Sequence, residues 1–180
     1  MKYNYHKEVF VPVLKNIALE GEITIPAGAQ SIVIFSHGSG SSRKSPRNQA
    51  VALRLHQHNI GTLLFDLLTG EEDKNYYNRF NIDLLTERLI AVTEWLIAQK
   101  DFEGYKFGFF GASTGAAAAL KAAAILPQID AIVSRGGRPD LAMEILPRIN
   151  VPVLLIVGGR DYDVILLMTR LMQNCNVKKN

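Results

Sequence analysis

Ser113 is the residue best placed to do chemistry in this chain. It sits in Gly111-Ala112-Ser113-Thr114-Gly115, between the apolar run from Tyr105 to Phe110 and an alanine-rich stretch from Thr114 to Leu126. The first reads as a buried strand, the second as a helix that is apolar nearly all round. A serine on the tight turn between two such elements is pushed out at the end of the sheet, and small neighbours let the chain turn that sharply. There its hydroxyl is exposed, and the backbone N–H groups of a helix N-terminus face the oxygen that a nucleophilic attack makes negative. The competing reading makes Ser113 an ordinary helix N-cap.

Two further segments could complete that chemistry. Ser36-His37-Gly38-Ser39-Gly40 follows another apolar strand, and its glycines free backbone N–H groups to approach a ligand. An oxyanion there needs a donor from this loop, assigned to Ser39, together with the N–H of Thr114. Asp161, in Gly158-Gly159-Arg160-Asp161, could orient a histidine, with Asp163 as its rival. Either aspartate could instead cap the segment that follows. The base itself is the difficulty. The chain has four histidines, His6, His37, His56 and His58, and none follows Asp161. His37 is the only one expected near the strand ends, where it holds the turn. His56 and His58 are expected on the solvated far part of a helix, and His6 in an N-terminal tail.

The elements that must position these residues are legible. Residues 8–14 and Ile17 to Ile25 alternate, as two antiparallel strands joined around Lys15-Asn16 would. Ser31 to Phe35 is continuously apolar, the mark of a strand covered on both faces. A helix opens at Ser45-Pro46 and closes near Asn59-Ile60-Gly61. Thr62 to Phe65 is a buried strand ending at Asp66, and Glu71 to Asn78 reads as a polar excursion. Ile82, Leu85, Leu89, Val92 and Leu96 mark an amphipathic helix. After the Ser113 unit come a strand over Ile129 to Val133, a short helix over Pro139 to Leu146 and a strand over Val151 to Val157. Alternating strands and helices imply a doubly wound, mostly parallel α/β sheet in a single domain, with ligands outside the carboxyl ends of the strands.

With these pieces in order, the chain resembles the α/β-hydrolase superfamily, and within it the dienelactone-hydrolase-like group, over about residues 9–164. The resemblance rests on the His37-Gly38-Ser39-Gly40 loop, the turn around Ser113, Asp66-Leu67-Leu68-Thr69, Ser134-Arg135-Gly136-Gly137-Arg138-Pro139 and Gly158-Gly159-Arg160-Asp161. It implies a hydrolase of carboxyl esters or lactones working through an acyl-enzyme at Ser113, with small-molecule substrates and no metal or organic cofactor. Asp161 would be the triad acid, and His37, Arg135 and Arg138 would touch substrate. Two departures stand out. Some dienelactone hydrolases carry cysteine at the Ser113 position. The family's triad histidine follows the acid beyond one more helix and strand, and this chain has neither there. The expectation is therefore a domain spanning 1–180 and truncated before the last strand and helix. Its activity would be impaired, or it would be a non-catalytic remnant that binds without turnover. The outer edge at 151–157 would be bare and apolar, inviting self-association.

Arg43, Lys44, Arg47, Arg135, Arg138 and Arg160 all fall after strands. They are either merely solvated or form a positive rim selecting substrates with a carboxylate or phosphate. Gly38 to Ser45 comes within one residue of a phosphate-binding loop, but Arg43 stands where that loop needs glycine, so a nucleotidase is set aside. Asp66 at the same rim reads as turn-forming. A net charge of +3 without a long basic stripe gives no ground for nucleic-acid binding. The lack of a signal-like start or a membrane-length apolar run, with Cys175 the one cysteine, leads to the expectation of a cytoplasmic protein.

Overall fold

A computed structural model describes residues 2–166 and Thr169. Among these residues, seven strands form one sheet in the order β1-β2-β4-β3-β5-β6-β7. The strands are β1 Tyr3–Leu14, β2 Ile17–Pro26, β3 Ser31–Ser36, β4 Gly61–Phe65, β5 Lys106–Ala112, β6 Ile129–Arg135 and β7 Val153–Ile156. The hairpin β1–β2 and the β2–β4 pair are antiparallel, and every pair from β4 to β7 is parallel. The helices are α1 Pro46–His56, α2 Gly70–Asp73, α3 Ile82–Ile97 and α4 Thr114–Ala123.

The continuously apolar strands are apolar because they face two cores. Ile32 and Ile34 of β3, Leu63 and Phe65 of β4, and Phe107 and Phe109 of β5 join the larger cluster, which includes Leu89 and Leu96 of α3 and the alanines of α4. The alternate residues Phe35, Leu64 and Phe110 meet Ala52 of α1 in a smaller cluster on the other face. Period-two alternation thus splits each strand between two helix layers.

Three local expectations are revised. The polar excursion after β4 is ordered: Thr69 and Glu72 form a capping box at the start of α2, and a 3₁₀ helix follows over Tyr76–Phe80. Glu72 also takes a 2.5 Å bond from the buried Arg88 of α3. Burial would raise the Glu72 pKa, but the Thr69 N–H and the Arg88 guanidinium outweigh it and hold the carboxylate below its usual range. The segment Pro139–Arg148 is 3₁₀ rather than α-helical, with Pro147 inside it removing a donor. Helix α1 ends at His56, and Asn59 closes the turn at φ 57°. The stretch Cys175 to Asn180, on which the expectation of a missing final strand rests, lies outside the described residues.

Candidate active site

The turn between β5 and α4 is built by contact, not by propensity. Ser113 has φ 50° and ψ −122°, a backbone conformation that costs a non-glycine residue about 1–3 kcal/mol. Its neighbours at 111 and 115 must be glycine for a different reason, close packing. A Cβ on Gly111 would stand 2.5 Å from the Cα of Ala116, and one on Gly115 would land on the carbonyl oxygens of Ser36 and His37. Helix α4 is thereby pressed onto the ends of β3 and β5, and Ser113 is forced outward. Its side chain makes no capping bond, and the N-cap reading is overturned. The residue that conformation presents is a free hydroxyl at a helix N-terminus.

The end of β6 clamps this turn through its backbone. Ser113 N–H donates to the Arg135 carbonyl at 3.4 Å, and Arg138 N–H donates to the Ser113 carbonyl at 3.4 Å. The sequence points to the side chains of Arg135 and Arg138, and no side-chain pattern encodes these main-chain roles.

Ser113 opens into a cleft of about 410 Å³ shared with Ser39, Ser45, Arg47, Arg135 and Ile156. The two expected oxyanion donors are placed unequally. Thr114 N–H, at the first position of α4, has no partner among the described residues. The Ser39 N–H, expected to face the oxyanion, instead donates to Thr114 Oγ1 at 3.0 Å. The hydroxyl of buried Thr114 is within reach of the loop because Gly38 packs directly on the turn, where an added Cβ would lie 3.1 Å from that of Ser113.

None of the four histidines stands ready to take a proton from Ser113. His37 Nε2 accepts from Leu67 N–H at 3.0 Å and its Nδ1 bonds the Gly38 carbonyl at 3.0 Å, so no ring nitrogen is left for a substrate, contrary to its expected binding role. Burial lowers its pKa against the opposing pull of that carbonyl, Asp66 and Asp73. His56 is not solvated: it is buried and bonded to Thr62 Oγ1 at 2.8 Å. His6 lies in β1 rather than in a tail and bonds Thr24 Oγ1 at 2.9 Å. His6 and His56 share a separate cleft beneath Tyr3, and His58 is exposed beyond α1. Asp161, the expected orienting acid, is exposed, and its carboxylate accepts from Val164 N–H at 3.3 Å at the start of a helical turn.

The cations at the strand ends sort into two groups. Arg43 is enclosed by Asp66 and Glu20, both of which accept from its guanidinium. Burial would lower its pKa, but these carboxylates raise it above the usual value. The backbone N–H of Arg43 also donates to Asp66 at 2.7 Å, so Asp66 is occupied by Arg43. Arg138, expected to touch substrate, turns to Asp140 in a two-pronged bond at 2.8 and 2.7 Å. Arg135 lines the cleft and is joined there by Arg47. Buried Asn48, which accepts from Arg135 at 3.3 Å, was not singled out in the sequence. Its position four residues before Ala52 on the inner stripe of α1 is the signal that could have found it. Among the described residues, no three His, Cys, Asp or Glu side chains come together to hold a metal ion, and no helix is long and apolar enough to cross a membrane.

No family model matches the chain. Proteins from two strains of Mycobacterium tuberculosis, provisionally named phosphoribosyl transferases, are 53% identical over 156 residues, which is 86% of this chain and 35% of theirs. The chain thus spans about a third of the length of the curated relatives it matches. Among solved structures, a Pyrococcus furiosus esterase shares the fold, with a TM-score of 0.79 at 21% identity over 94% of this chain and 76% of its own. A dienelactone hydrolase from Anabaena variabilis superposes with a TM-score of 0.93 at 47% identity, covering 98% of this chain and 83% of that one. On an identity that high across most of both molecules, the chain belongs to the dienelactone-hydrolase-like group of the α/β hydrolases.

Proposed function

We propose that this chain is a hydrolase of carboxyl esters or lactones, acting on small molecules through Ser113. The observation that supports this most is Ser113 itself, held at positive φ by steric contact and left with an uncapped hydroxyl on a cleft floor. In this reading, Ser113 Oγ attacks the substrate carbonyl carbon, the hydroxyl proton passes to a base, and the carbonyl oxygen becomes an oxyanion. Thr114 N–H receives that oxyanion. Ser39 N–H joins it once the Thr114 hydroxyl turns away, since one donor is otherwise spent inside the protein. Removing such a donor costs roughly 3 kcal/mol of transition-state stabilisation. Collapse expels the alcohol or opens the lactone ring, and water then attacks the acyl-serine by the same route.

The base is a histidine in the general scheme, oriented by Asp161. The placement of His6, His37, His56 and His58 supports none of them in that role, so turnover by this chain alone is slow. That same placement favours a second reading, a hydrolase fold that binds acyl compounds without cleaving them. The transferase name of the mycobacterial relatives describes proteins of which this chain matches 35%, and nothing at the Ser113 turn supports carrying it over.

Hydrolysis of a short-chain p-nitrophenyl ester, with Ser113→Ala beside the parent, separates the two readings. A rate lost in Ser113→Ala supports the hydrolase; equal background rates in both support the binding protein.

A further inference from the structure

The structure leaves two guanidinium groups in the Ser113 cleft without a carboxylate. Of the strand-end cations, Arg43 and Arg138 are paired within the chain, and Lys44 and Arg160 do not line this cleft. Arg47 and Arg135 do line it, and no aspartate or glutamate stands among its lining residues. Neither meets an acidic side chain among the described residues.

Arg135 is not a freely waving surface cation. Its guanidinium carbon lies 5.7 Å from the centre of the Phe110 ring, and buried Asn48 accepts one of its N–H groups at 3.3 Å. Ring and amide fix the group from below and from the side. Burial, and then the charge of Arg47, lower its pKa. Two like charges facing one cleft repel each other, and a negative ligand between them relieves that repulsion. A singly charged ligand leaves one cation uncompensated, whereas a doubly charged one neutralises both. Arginine also matches the oxygen spacing of phosphate in two-pronged bonds.

We infer that Arg47 and Arg135 form a subsite for a doubly charged phosphate group, so that the ester or lactone taken at Ser113 carries a phosphate monoester on the side facing α1 and the end of β6. This rests on the reading of Ser113 as the nucleophile of the same cleft. The phosphate is a handle and is not transferred: the bond that breaks is the carboxyl ester, and the phosphate leaves with whichever product carries it. Ser45, which makes no side-chain cap at the start of α1, lines the same cleft beside Arg47.

Titration calorimetry of the chain with inorganic phosphate at pH 8 and low salt, with acetate as the singly charged comparator, tests the subsite. Phosphate is expected to bind at least about tenfold tighter than acetate, and Arg47→Gln and Arg135→Gln are each expected to weaken it about tenfold. Arg47 is exposed, so Arg47→Gln informs even if Arg135→Gln fails to fold. Phosphate binding that is unchanged in Arg47→Gln, absent in the parent, or no tighter than acetate overturns the inference. Ser113→Ala is expected to bind phosphate as the parent does, which separates the two claims. Ester hydrolysis without phosphate binding removes the subsite alone. Phosphate binding without Ser113-dependent hydrolysis keeps the subsite and removes the nucleophile.

Discussion

The turn at Ser113 and the end of β7 stand at the same rim of the sheet and are built in opposite ways. At Ser113 every neighbour is in contact: Ala116 to Ala119 are fully buried, Gly111 and Gly115 have no room for a Cβ, and β6 bonds the turn from the side. At the end of β7, Leu154 is 58% exposed, and among the described residues the Asp161 carboxylate bonds only the Val164 N–H of its own helical turn. Gly158 and Gly159 have space around them. The difference teaches where the family's chemistry is anchored. The proposed nucleophile and its proposed oxyanion donor are fixed by packing of the chain on itself, whereas the proposed acid sits at an edge that this packing does not reach among the described residues.

Substitutions can break that comparison. Gly115→Ala is expected to destabilise the protein by about 3 kcal/mol or more, since the added methyl meets backbone oxygens that cannot move without shifting α4 or β3. Gly158→Ala, where the nearest atom is the Cβ of Asp161 at 4.0 Å, is expected to change stability by no more than about 0.5 kcal/mol. Urea unfolding of the two variants checks both, and equal losses would erase the contrast. A smaller effect of opposite sign is expected at the nucleophile. Ser113→Gly relieves the strain at positive φ and is expected to raise stability by about 1 kcal/mol while removing all Ser113-dependent hydrolysis. A destabilised Ser113→Gly would show that the turn is not strained.

Acid sharpens the picture further. Burial lowers the pKa of His37 and of His56, so the folded protein keeps both neutral while the unfolded chain protonates near the ordinary value of about 6.5. Just below that value the unfolded state binds more protons. The stabilisation is therefore complete above about pH 6.5 and is lost as the pH falls from there towards the lowered folded values. His37 makes the reason visible, because a proton on Nε2 would face the Leu67 N–H that the ring now accepts. Urea midpoints between pH 8 and 5 are expected to fall for the parent and to fall less for His56→Gln. The smallest effect is expected at the edge, where Asp161→Asn should leave stability within about 0.5 kcal/mol. A larger loss would mean that the acid is anchored after all.

Much of this was readable in the residues, for identifiable reasons. The succession of strands along the chain and the Ser113 turn announce themselves because apolar runs, glycines and an alanine helix are local signals. The capping box at Thr69 and Glu72 was equally local, yet the charged run around it passed for loop. His56 was misplaced because its burial depends on Thr62 and Tyr3, brought beside it by the sheet. The sorting of the arginines was illegible for the same reason: Arg43 finds Glu20 and Asp66 across the sheet, whereas Arg47, four residues on, finds no acid among the described residues. The engagement of Ser39 N–H by Thr114 Oγ1 joins residues far apart in the chain, and no spacing rule foretells it.

The measurement that tests the central claim most directly is Ser113-dependent hydrolysis of a p-nitrophenyl ester with imidazole added in increasing amounts. If the turn presents a competent nucleophile that lacks only a base, imidazole supplies one, and the rate in the parent rises with its concentration above that of Ser113→Ala. Identical rates in parent and Ser113→Ala at every imidazole concentration would contradict the account, leaving the strained turn as architecture without chemistry.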